Sequence, residues 1–589
     1  MTQQNQFSRR CFVKGGILAA AVPAVGLGAF YFGYEKTLGD PVRVGVLGTG
    51  DEGNVLLGAI NPDYVDVKAI ADVRPFNQHR AFHGDVSSPA ALKARTGLMA
   101  KYGWKTEHEA RKHVKVYADY RDLIKDAKSL GIEAVIIGLP LHLHASAAIA
   151  AMNAGLHVLT EKLMAHSVMQ CKLMSWVAED THKHLATGHQ RHYNILYQEA
   201  VESIKRGVLG DIHYIRAQWH RGNKPGGDSW QMPMPRGVKP DDPQSSRLEK
   251  ELANLKKSLD SATGREIENV YKQWAQKKAQ LEDMLLAKGG ITSTGVEVKP
   301  ASTYGYLDET LFNVYNRPAA EELLRWRLFE RTGGGLMVEL GSHQLDAASI
   351  FLTAQQQQKV ANFTGKVHPL SVLVSANRNV FGADREVADH VTAVIEFPSW
   401  DYDKTSAVGR KRKICVQYST INGNGFGGYG EIVCGTGGTL VLATESESQI
   451  LKSGGATSIK SDAGTAALDT QASGPAQAAV SSSGAKADVS RGYQEEIEHW
   501  AWCIRVNPKN KDHNLQPRCY PKVAMTDAII ALVTNKAAEK GGKMYFEENW
   551  FDLTTPDLPP GDPTFEVGIK NINEELGQET LNAGIVRKG

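Results

Sequence analysis

The sequence is poor in cysteine and carries no strong charge of either sign. Its 589 residues include six cysteines and no CxxC pair, so neither a zinc ribbon nor a small disulfide-stapled fold is expected. Lys and Arg number 67 and Asp and Glu 65, which leaves a net charge of +2 and no long basic block. Nucleic acid is therefore not expected as a partner. The length and the 42% hydrophobic content predict a globular chain of several domains.

The N-terminal segment is typical of an export signal. Residues 8–14 are polar and basic, and an apolar stretch of small residues follows to about position 34. The paired Arg9 and Arg10 resemble the twin-arginine signal. We expect residues 1–34 to direct export through the twin-arginine machinery to the periplasm. Residues 27–29 offer a cleavage site, but the apolar run is nearly long enough to span a bilayer, so an uncleaved membrane anchor remains open.

A dinucleotide-binding motif follows the signal. The apolar run Val42–Leu47 predicts a buried strand, and a GxGxxG turn and a helical segment come directly after it. The first glycine permits the tight turn, the second lets the backbone approach a pyrophosphate, and the third lets helix and strand pack closely. The helix N-terminus then faces the phosphates. The cofactor-binding candidates in this turn are Gly48, Gly50, Asp51, Glu52 and Gly53.

The second apolar run predicts which dinucleotide binds. It ends at Asp72, about 20 residues past the glycines, where a carboxylate accepts hydrogen bonds from a ribose and repels a 2′-phosphate. Arg74 could stack on adenine or attract that phosphate instead. These residues favour NAD and leave NADP open.

Two later strands place more polar residues at the same edge of the predicted sheet. Alternating strands and helices predict a parallel sheet that binds ligands beyond the carboxyl ends of its strands. The candidates on that edge are Pro140, His144, Glu161 and Lys162.

The predicted fold class is α/β. A Rossmann domain over residues 41–163 precedes an α+β domain over 164–550 with a large, open, mostly antiparallel sheet. An insert at about 222–325 has the leucine spacing of an αα-hairpin, which could cap the cleft, contact another subunit or pack only on its own chain. Residues 453–490 predict a flexible loop and residues 551–589 a tail.

A further group has the spacing and chemistry of a catalytic site. Glu339, His343 and Asp346 are spaced i, i+4 and i+7, which predicts one helix face. His343 can exchange a proton near neutral pH, a carboxylate one turn away can orient its ring, and Lys162 can stabilise a developing negative charge. A solvated helix face is the alternative. No metal is expected, because no second cluster completes a ligand set. Trp219 predicts either a sugar-stacking wall or a core aromatic.

These elements together resemble the glucose-fructose oxidoreductase / inositol dehydrogenase (Gfo/Idh/MocA) family. The matching pieces are the glycine turn, Asp72, the Pro140 to His144 turn, Glu161-Lys162, residues 188–193, and residues 333–346. The resemblance implies a cofactor contact for Gln190, substrate contacts for Arg191 and Tyr193, and a homo-oligomer. Three positions depart from the family pattern. Leu163 replaces a proline, Glu339 an aspartate and His192 a frequent arginine.

Three functions stay open at this stage. The first is an exported NAD(P)-dependent oxidoreductase that acts on a hydroxyl or ketone of a sugar, cyclitol or glycoside, with Lys162, His343 and Glu339 as catalytic residues and a tightly held cofactor. The second is an NAD-dependent glycoside hydrolase with no net redox change. The third is a non-catalytic sugar-binding protein on a dehydrogenase fold.

Overall fold

The computed structural model of the chain describes residues 32–35, 39–445, 447–452 and 491–587. Most of the predicted signal and the predicted loop at 453–490 lie outside these residues. Within them, no helix is both long enough and apolar enough to cross a membrane.

The first domain is built on a six-stranded parallel sheet. Its strand order is β3-β2-β1-β4-β5-β6, the order of a dinucleotide-binding fold. Its strands are apolar runs covered by helices on both faces, so β4 and β5 are buried along their whole length. The strands are β1 Val42–Leu47, β2 Val65–Ala71, β3 Lys115–Tyr117, β4 Ala134–Ile137, β5 His157–Glu161 and β6 Leu185–Gly188. The helices are α1 Asp51–Ala59, α2 Pro75–His83, α3 Pro89–Ala94, α4 Leu98–Tyr102, α5 Glu107–His113, α6 Tyr120–Asp126, α7 His144–Asn153 and α8 Val168–Asp180.

The sheet extends past the boundary expected at residue 163. Strand β6 pairs in parallel with β5, so the Rossmann domain continues to at least Gly188. The sequence prediction ended the domain too early because β6 has only four residues.

The insert forms the expected helix pair and a small core of its own. Helix α11 packs on α2 of the first domain. The elements of this part of the chain, with the helix and strand that precede the insert, are α9 Ile195–Lys205, β7 Ile212–His220, α10 Ser245–Ser261, α11 Glu266–Glu282, α12 Leu285–Lys288, β8 Gly290–Ile291, β9 Glu297–Val298, β10 Glu309–Leu311, β11 Tyr315–Arg317, α13 Ala319–Leu324 and α14 Glu330–Gly333.

The second domain contains an eight-stranded open sheet in the order β17-β16-β15-β7-β14-β13-β12-β18. Only the β7–β14 pair is parallel among these described strands, so the sheet is mostly antiparallel, as expected. Together with the parallel sheet of the first domain, this confirms the predicted α/β fold class. Residues alternate between buried and exposed along β13, because helices cover one face of the sheet. The strands are β12 Ser371–Asn377, β13 His390–Pro398, β14 Lys413–Ile421, β15 Tyr429–Gly435, β16 Gly438–Ala443, β17 Glu447–Lys452 and β18 Lys543–Tyr545. The helices are α15 Ser342–Lys359, which follows a π-helical turn at Met337–Gly341, α16 Tyr493–Val506, α17 Pro521–Lys540, α18 Glu548–Phe551 and α19 Phe565–Leu576.

Both ends of the described chain are part of the fold, which corrects two expectations. Phe32 and Tyr34, placed within the 1–34 signal, are buried, and the Tyr34 hydroxyl donates to Glu498 at 2.6 Å. The segment at 551–589, expected to be a tail, contains α19, which buries Ile569 and Ile572 and packs on α7. The apolar spacing of α19 is that of an amphipathic helix, a signal hidden behind the proline-rich stretch before it.

Candidate functional site

The glycine turn between β1 and α1 forms one wall of a cleft that is also lined by the ends of β2, β4 and β5 and by the insert. Gly48 has a φ of +84°, and a Cβ there would lie 2.5 Å from the carbonyl oxygen of Gly138. A Cβ on Gly53 would lie 2.1 Å from the Gly48 carbonyl oxygen, so this glycine permits the close packing of α1 on β1. Around Gly50 the only atom within 4 Å of a Cβ among the described residues is Asn77 Nδ2, at 3.7 Å. The turn therefore leaves backbone open to the cleft where a pyrophosphate would lie.

The acidic residues of the turn face arginines. Asp51 and Glu52 both line the cleft. Arg80 Nη1 donates to Asp51 Oδ1 at 2.8 Å, and Arg327 Nη1 lies 3.8 Å from Asp51 Oδ2. This pairing offsets the charge that Asp51 would otherwise present to a phosphate, so the turn fits a dinucleotide.

Asp72 lies at the carboxyl end of β2 and accepts several hydrogen bonds. The backbone N–H of Thr49 donates to its Oδ2 at 2.7 Å, and the N–H of Arg74 to its Oδ1 at 2.8 Å. The Asn77 amide also donates to both oxygens. Burial raises the pKa of Asp72 and these hydrogen bonds lower it. Asp72 is thus fixed beside the glycine turn, where a ribose would lie.

The two strand ends next along the sheet are tied together by His144. Its ring nitrogens lie 2.9 Å from the carbonyl oxygen of Leu139 and 2.8 Å from that of Leu163. His144 and Pro140 line the cleft, but both His144 nitrogens are engaged with backbone. This histidine therefore positions the turn after β4 against the Lys162–Leu163 segment, whose peptide bond is cis.

The side chain of Lys162 brings an ammonium group to this part of the cleft. Its Nζ donates to the carbonyl oxygen of Glu339 at 2.9 Å and lies 3.8 Å from Glu339 Oε2. Glu161, beside it, has a pKa raised well above the ordinary range by burial and by the neighbouring Glu52 carboxyl. The structure thus brings Lys162 to the helical turn that carries Glu339 and, four residues later, His343.

His343 is buried, and its surroundings favour the neutral imidazole. Burial lowers its pKa well below the ordinary value, and the positive charges of Arg191 and Lys162 lower it further. A neutral imidazole can accept a proton from a hydroxyl at neutral pH. The ring of Trp219 lies 5.6 Å from that of His343 and stacks on Tyr429. His343 and Trp219 are both buried and are not among the described residues that line the cleft, which Lys162 and Glu339 do line.

The carboxylates predicted to share one helix face serve different partners. The π-helical turn at Met337–Gly341 interrupts the regular spacing. Glu339 Oε2 accepts from Arg327 Nε at 3.3 Å, on the Lys162 side. Asp346 lies 3.1 Å from His192 Nε2 and 3.5 Å from His189 Nδ1. Asp346 is therefore the carboxylate among the imidazoles, which corrects the expectation that all three residues act on one face.

A buried lysine lies beside Asp346. Lys366 Nζ is 2.7 Å from Asp346 Oδ1 and also contacts Asp527. His192, Asp346 and Asp527 have the spacing of metal ligands, and so do two other groups, His189-Cys519-Asp527 and His79-His83-Glu107. At the first of these the ammonium of Lys366 already pairs with both carboxylates.

Three residues implied by the resemblance lie in different places. Arg191 is 5.8 Å from the ring of Trp219 and forms an ion pair with Glu445 at 2.7 Å, so it lies beside the buried Trp219. Gln190 is buried and is not among the described residues that line the cleft. The Tyr193 hydroxyl lies 2.8 Å from His499 Nδ1, and its ring packs on Phe32. The expected substrate contact of Tyr193 is therefore not supported, because its side chain faces the N-terminal segment.

Sequence reasoning missed the residues that cover the cleft. They come from the later part of the insert and the residues just after it, from the start of α6 and from helix α19, none of which carries a motif; a tyrosine pair, Tyr304 and Tyr306, was the signal available. The residues are Asp119, Tyr120, Arg121, Tyr304, Tyr306, Leu323, Leu324, Arg325, Trp326, Arg327 and Glu575.

Comparison with protein families matches both domains. Residues 42–189 match the family model described as "Oxidoreductase family, NAD-binding Rossmann fold" of GFO_IDH_MocA. Residues 309–513 match the model of the same family described as "Oxidoreductase family, C-terminal alpha/beta domain".

Curated relatives match a smaller part of the chain. A 1-carboxy-3-chloro-3,4-dihydroxycyclohexa-1,5-diene dehydrogenase of Comamonas testosteroni is 30% identical over 177 residues, which cover 30% of this chain and 37% of that protein. A glycosyl hydrolase family 109 protein of Stenotrophomonas maltophilia is 27% identical over 184 residues, which cover 30% of this chain and 36% of that protein. Inositol 2-dehydrogenase 1 of Saccharopolyspora erythraea is 28% identical over 29% of this chain and 43% of its own. The chain thus spans about two fifths of the length of the relatives it matches.

A solved structure shares the fold across most of the chain. An inositol dehydrogenase homolog complexed with NAD+ from Azotobacter vinelandii covers 87% of this chain and 99% of its own, with a TM-score of 0.51 and 14% identity.

Proposed function

Because the chain belongs to the Gfo/Idh/MocA oxidoreductase family, whose two models together match more than half of it, we propose that it is an NAD-dependent oxidoreductase. It transfers a hydride between the cofactor and a hydroxyl or ketone carbon of a sugar, cyclitol or glycoside. One observation carries the proposal. The cleft has the glycine turn and Asp72 at one end, and Lys162 at the other, bonded to the turn that leads to His343.

The chain's own residues supply acid–base chemistry and orientation. When bound, the nicotinamide accepts or returns the hydride. His343, neutral because it is buried beside two cations, takes the proton of the substrate hydroxyl. Lys162 donates a hydrogen bond to the same oxygen and stabilises the negative charge that develops on it. Trp219, buried with its ring 5.6 Å from that of His343, packs against the imidazole and helps to hold it in place.

The cofactor is proposed to be NAD and to dissociate slowly. Asp72 accepts hydrogen bonds at the ribose position and opposes a 2′-phosphate there. Tyr304 and Tyr306 from the insert and Glu575 from α19 cover the cleft, so release requires these parts to move apart. A retained cofactor suits an exported enzyme, which has no pool of free nicotinamide around it.

The test is whether nicotinamide accompanies the purified protein and cycles between redox states. Native mass spectrometry after dialysis is expected to detect one NAD per chain. Addition of a panel of sugars, cyclitols and glycosides is expected to raise absorbance at the wavelength of reduced nicotinamide for at least one class. A chain that neither retains NAD nor binds it when it is added would contradict the proposal.

A second candidate function is glycoside hydrolysis through transient oxidation. Two of the matched relatives are glycosyl hydrolase family 109 proteins. With this function, a nitrophenyl glycoside would release nitrophenol without accumulation of reduced cofactor, because the hydride taken from the substrate is returned within each turnover. Oxidation of free sugar with accumulation of reduced cofactor would decide for the dehydrogenase.

Export is proposed through the twin-arginine route to the periplasm. Cleavage at residues 27–29 would leave Phe32 and Tyr34 in the mature protein. This agrees with their burial in the folded domain. Substitution of Arg9 and Arg10 by Lys is expected to retain the protein in the cytoplasm, measured by fractionation. An N-terminal sequence of the exported protein distinguishes cleavage from anchoring.

A homo-oligomer is proposed through the open sheet. Leu373 of β12 and Tyr545 of β18 are exposed on it, with 51% and 66% of their surface accessible. Light scattering coupled to size exclusion measures the state, and a monomer at micromolar concentration would contradict it.

A further inference from the structure

Arg74 occupies the position at which a guanidinium selects NADP. It follows Asp72 by two residues and lines the same cleft. An arginine near the end of the second strand accommodates the 2′-phosphate in NADP-binding folds, because its planar fork pairs with phosphate oxygens. On local sequence alone, Asp72 therefore indicates NAD and Arg74 indicates NADP.

In this chain the guanidinium is bonded to the insert. Arg74 Nε and Nη2 donate to Asp283 Oδ2 at 3.1 and 2.8 Å. The backbone N–H of Phe76 donates to the other oxygen, Oδ1, at 3.2 Å. Asp283 lies between α11 and α12, and only 1% of its side chain is exposed. The carboxylate therefore holds both the side chain and the backbone of the segment that follows β2.

Two carboxylates lie near this one guanidinium. The Asp72 side chain accepts the Arg74 backbone N–H. Burial raises the pKa of Asp283, the paired Arg74 lowers it, and the charge of Asp72 raises it further. A 2′-phosphate entering here would meet this negative charge and would have to displace Asp283 from a buried ion pair. Breaking such a pair leaves an uncompensated buried charge, which is strongly unfavourable.

We propose that Asp283 is the residue of the insert that makes this site specific for NAD, by holding Arg74 away from the position of a 2′-phosphate. The inference rests on the proposed NAD-dependent function and adds to it a specificity residue outside both family-matched segments. Asp72 repels the phosphate directly, and Asp283 removes the group that would otherwise attract it.

The insert has other attachments, so Asp283 can be changed without removing it. Gln276 accepts the backbone N–H of Val86 at 2.8 Å and donates to Asp85 at 2.9 Å. Helix α11 also packs on α2 of the first domain. We therefore expect D283A and the isosteric D283N to fold. D260N, at an exposed aspartate of α10 paired with Lys256, is a matched control.

The experiment measures binding of NAD+ and NADP+ to the full chain by calorimetry, after exchange of any retained cofactor. In D283A, the ratio of the NADP+ to the NAD+ dissociation constant is expected to fall about tenfold to a hundredfold, the value of a charge-assisted hydrogen bond. In the double variant R74A/D283A this ratio is expected to return most of the way to the wild-type value. In D260N the ratio is expected to equal that of wild type.

The double variant R74A/D283A keeps the test decisive if either single Asp283 variant fails to fold, because removal of both partners leaves no unpaired buried charge. Because Arg74 is already engaged in the wild-type protein, the NADP+ affinity of the double variant is expected to stay within about twofold of wild type. A loss of about tenfold in the double variant, or an unchanged ratio in folded D283A and D283N, would overturn the inference while the NAD-dependent function stands. Wild-type protein that binds neither dinucleotide would defeat both.

Discussion

The two ends of the cleft are built in different ways. The ribose and phosphate end uses a turn and Asp72 that lie within about 25 residues of one another, on one strand-helix-strand unit. At the chemical end, Lys162 and Glu339 meet across 177 residues of chain, and the His343 that follows Glu339 lies against the buried Trp219 of the second sheet. The first end thus depends on local backbone geometry, whereas the second depends on how two domains pack. Substitutions at the two ends should separate cofactor binding from turnover.

The largest effect is expected at the chemical end. In Lys162→Met the hydrogen bond to the reacting oxygen is lost, and we expect the rate constant for turnover to fall by about 10²- to 10³-fold. Retention of NAD should change little, because the glycine turn and Asp72 are intact. Steady-state kinetics and mass spectrometry of the same preparation measure the two quantities. Lys68→Met, at a half-exposed lysine, is the control. A variant that turns over normally would remove Lys162 from the mechanism.

A substitution in the glycine turn is expected to have the opposite effect, in that it weakens NAD binding and leaves the residues of the chemical end intact. A Cβ on Gly50 meets no protein atom closer than 3.7 Å among the described residues, so Gly50→Ala should fold with an unchanged thermal midpoint. The methyl group would project toward the pyrophosphate, and we expect NAD affinity to fall about tenfold or more. Gly382→Ala, whose Cβ has 4.0 Å to its nearest neighbour, controls for loss of a glycine. Unchanged NAD affinity in Gly50→Ala would place the pyrophosphate elsewhere.

This difference also explains what could be predicted from the sequence. The turn at Gly48–Gly53 lies between β1 and α1, and Asp72 follows β2, as predicted, because this placement is encoded in consecutive residues. Their role in cofactor binding stays a prediction. The pairing of Asp346 with His189 and His192 was not found, because His192 lies 154 residues away in the chain. Arg74 was left with two alternative roles, stacking on adenine or attracting a 2′-phosphate, since its partner Asp283 lies 209 residues away. The leucine spacing predicts the helices of the insert, but it does not predict which residues of the first domain they contact.

A smaller effect tests the cover of the cleft. Glu575 of α19 accepts the Tyr120 hydroxyl at 3.3 Å, and its carbonyl oxygen accepts from Arg121 at 2.7 Å. Glu575→Ala removes the side-chain contact only, and we expect NAD to dissociate about two- to tenfold faster. Glu574→Ala, at the exposed neighbour paired with Lys570, should leave the rate unchanged. Stopped-flow displacement of NAD measures its dissociation rate in each protein. Equal rates in all three proteins would mean that α19 packs beside the cofactor without retaining it.

The smallest effect is an expected absence of change with pH, and it tests the environment of His343. A histidine of ordinary pKa near 6.5 would be half protonated at that pH and would lose half its capacity as a base. Because burial and the charges of Arg191 and Lys162 lower the pKa of His343, its imidazole stays neutral at pH 6.5, and protonation begins only in more acid solution. We therefore expect kcat/KM for alcohol oxidation to vary by less than about twofold from this group between pH 8 and pH 6.5. An acid limb centred at or above pH 6.5 would mean that His343 is solvated in the working enzyme, and that the packing of the second domain leaves the chemical end open.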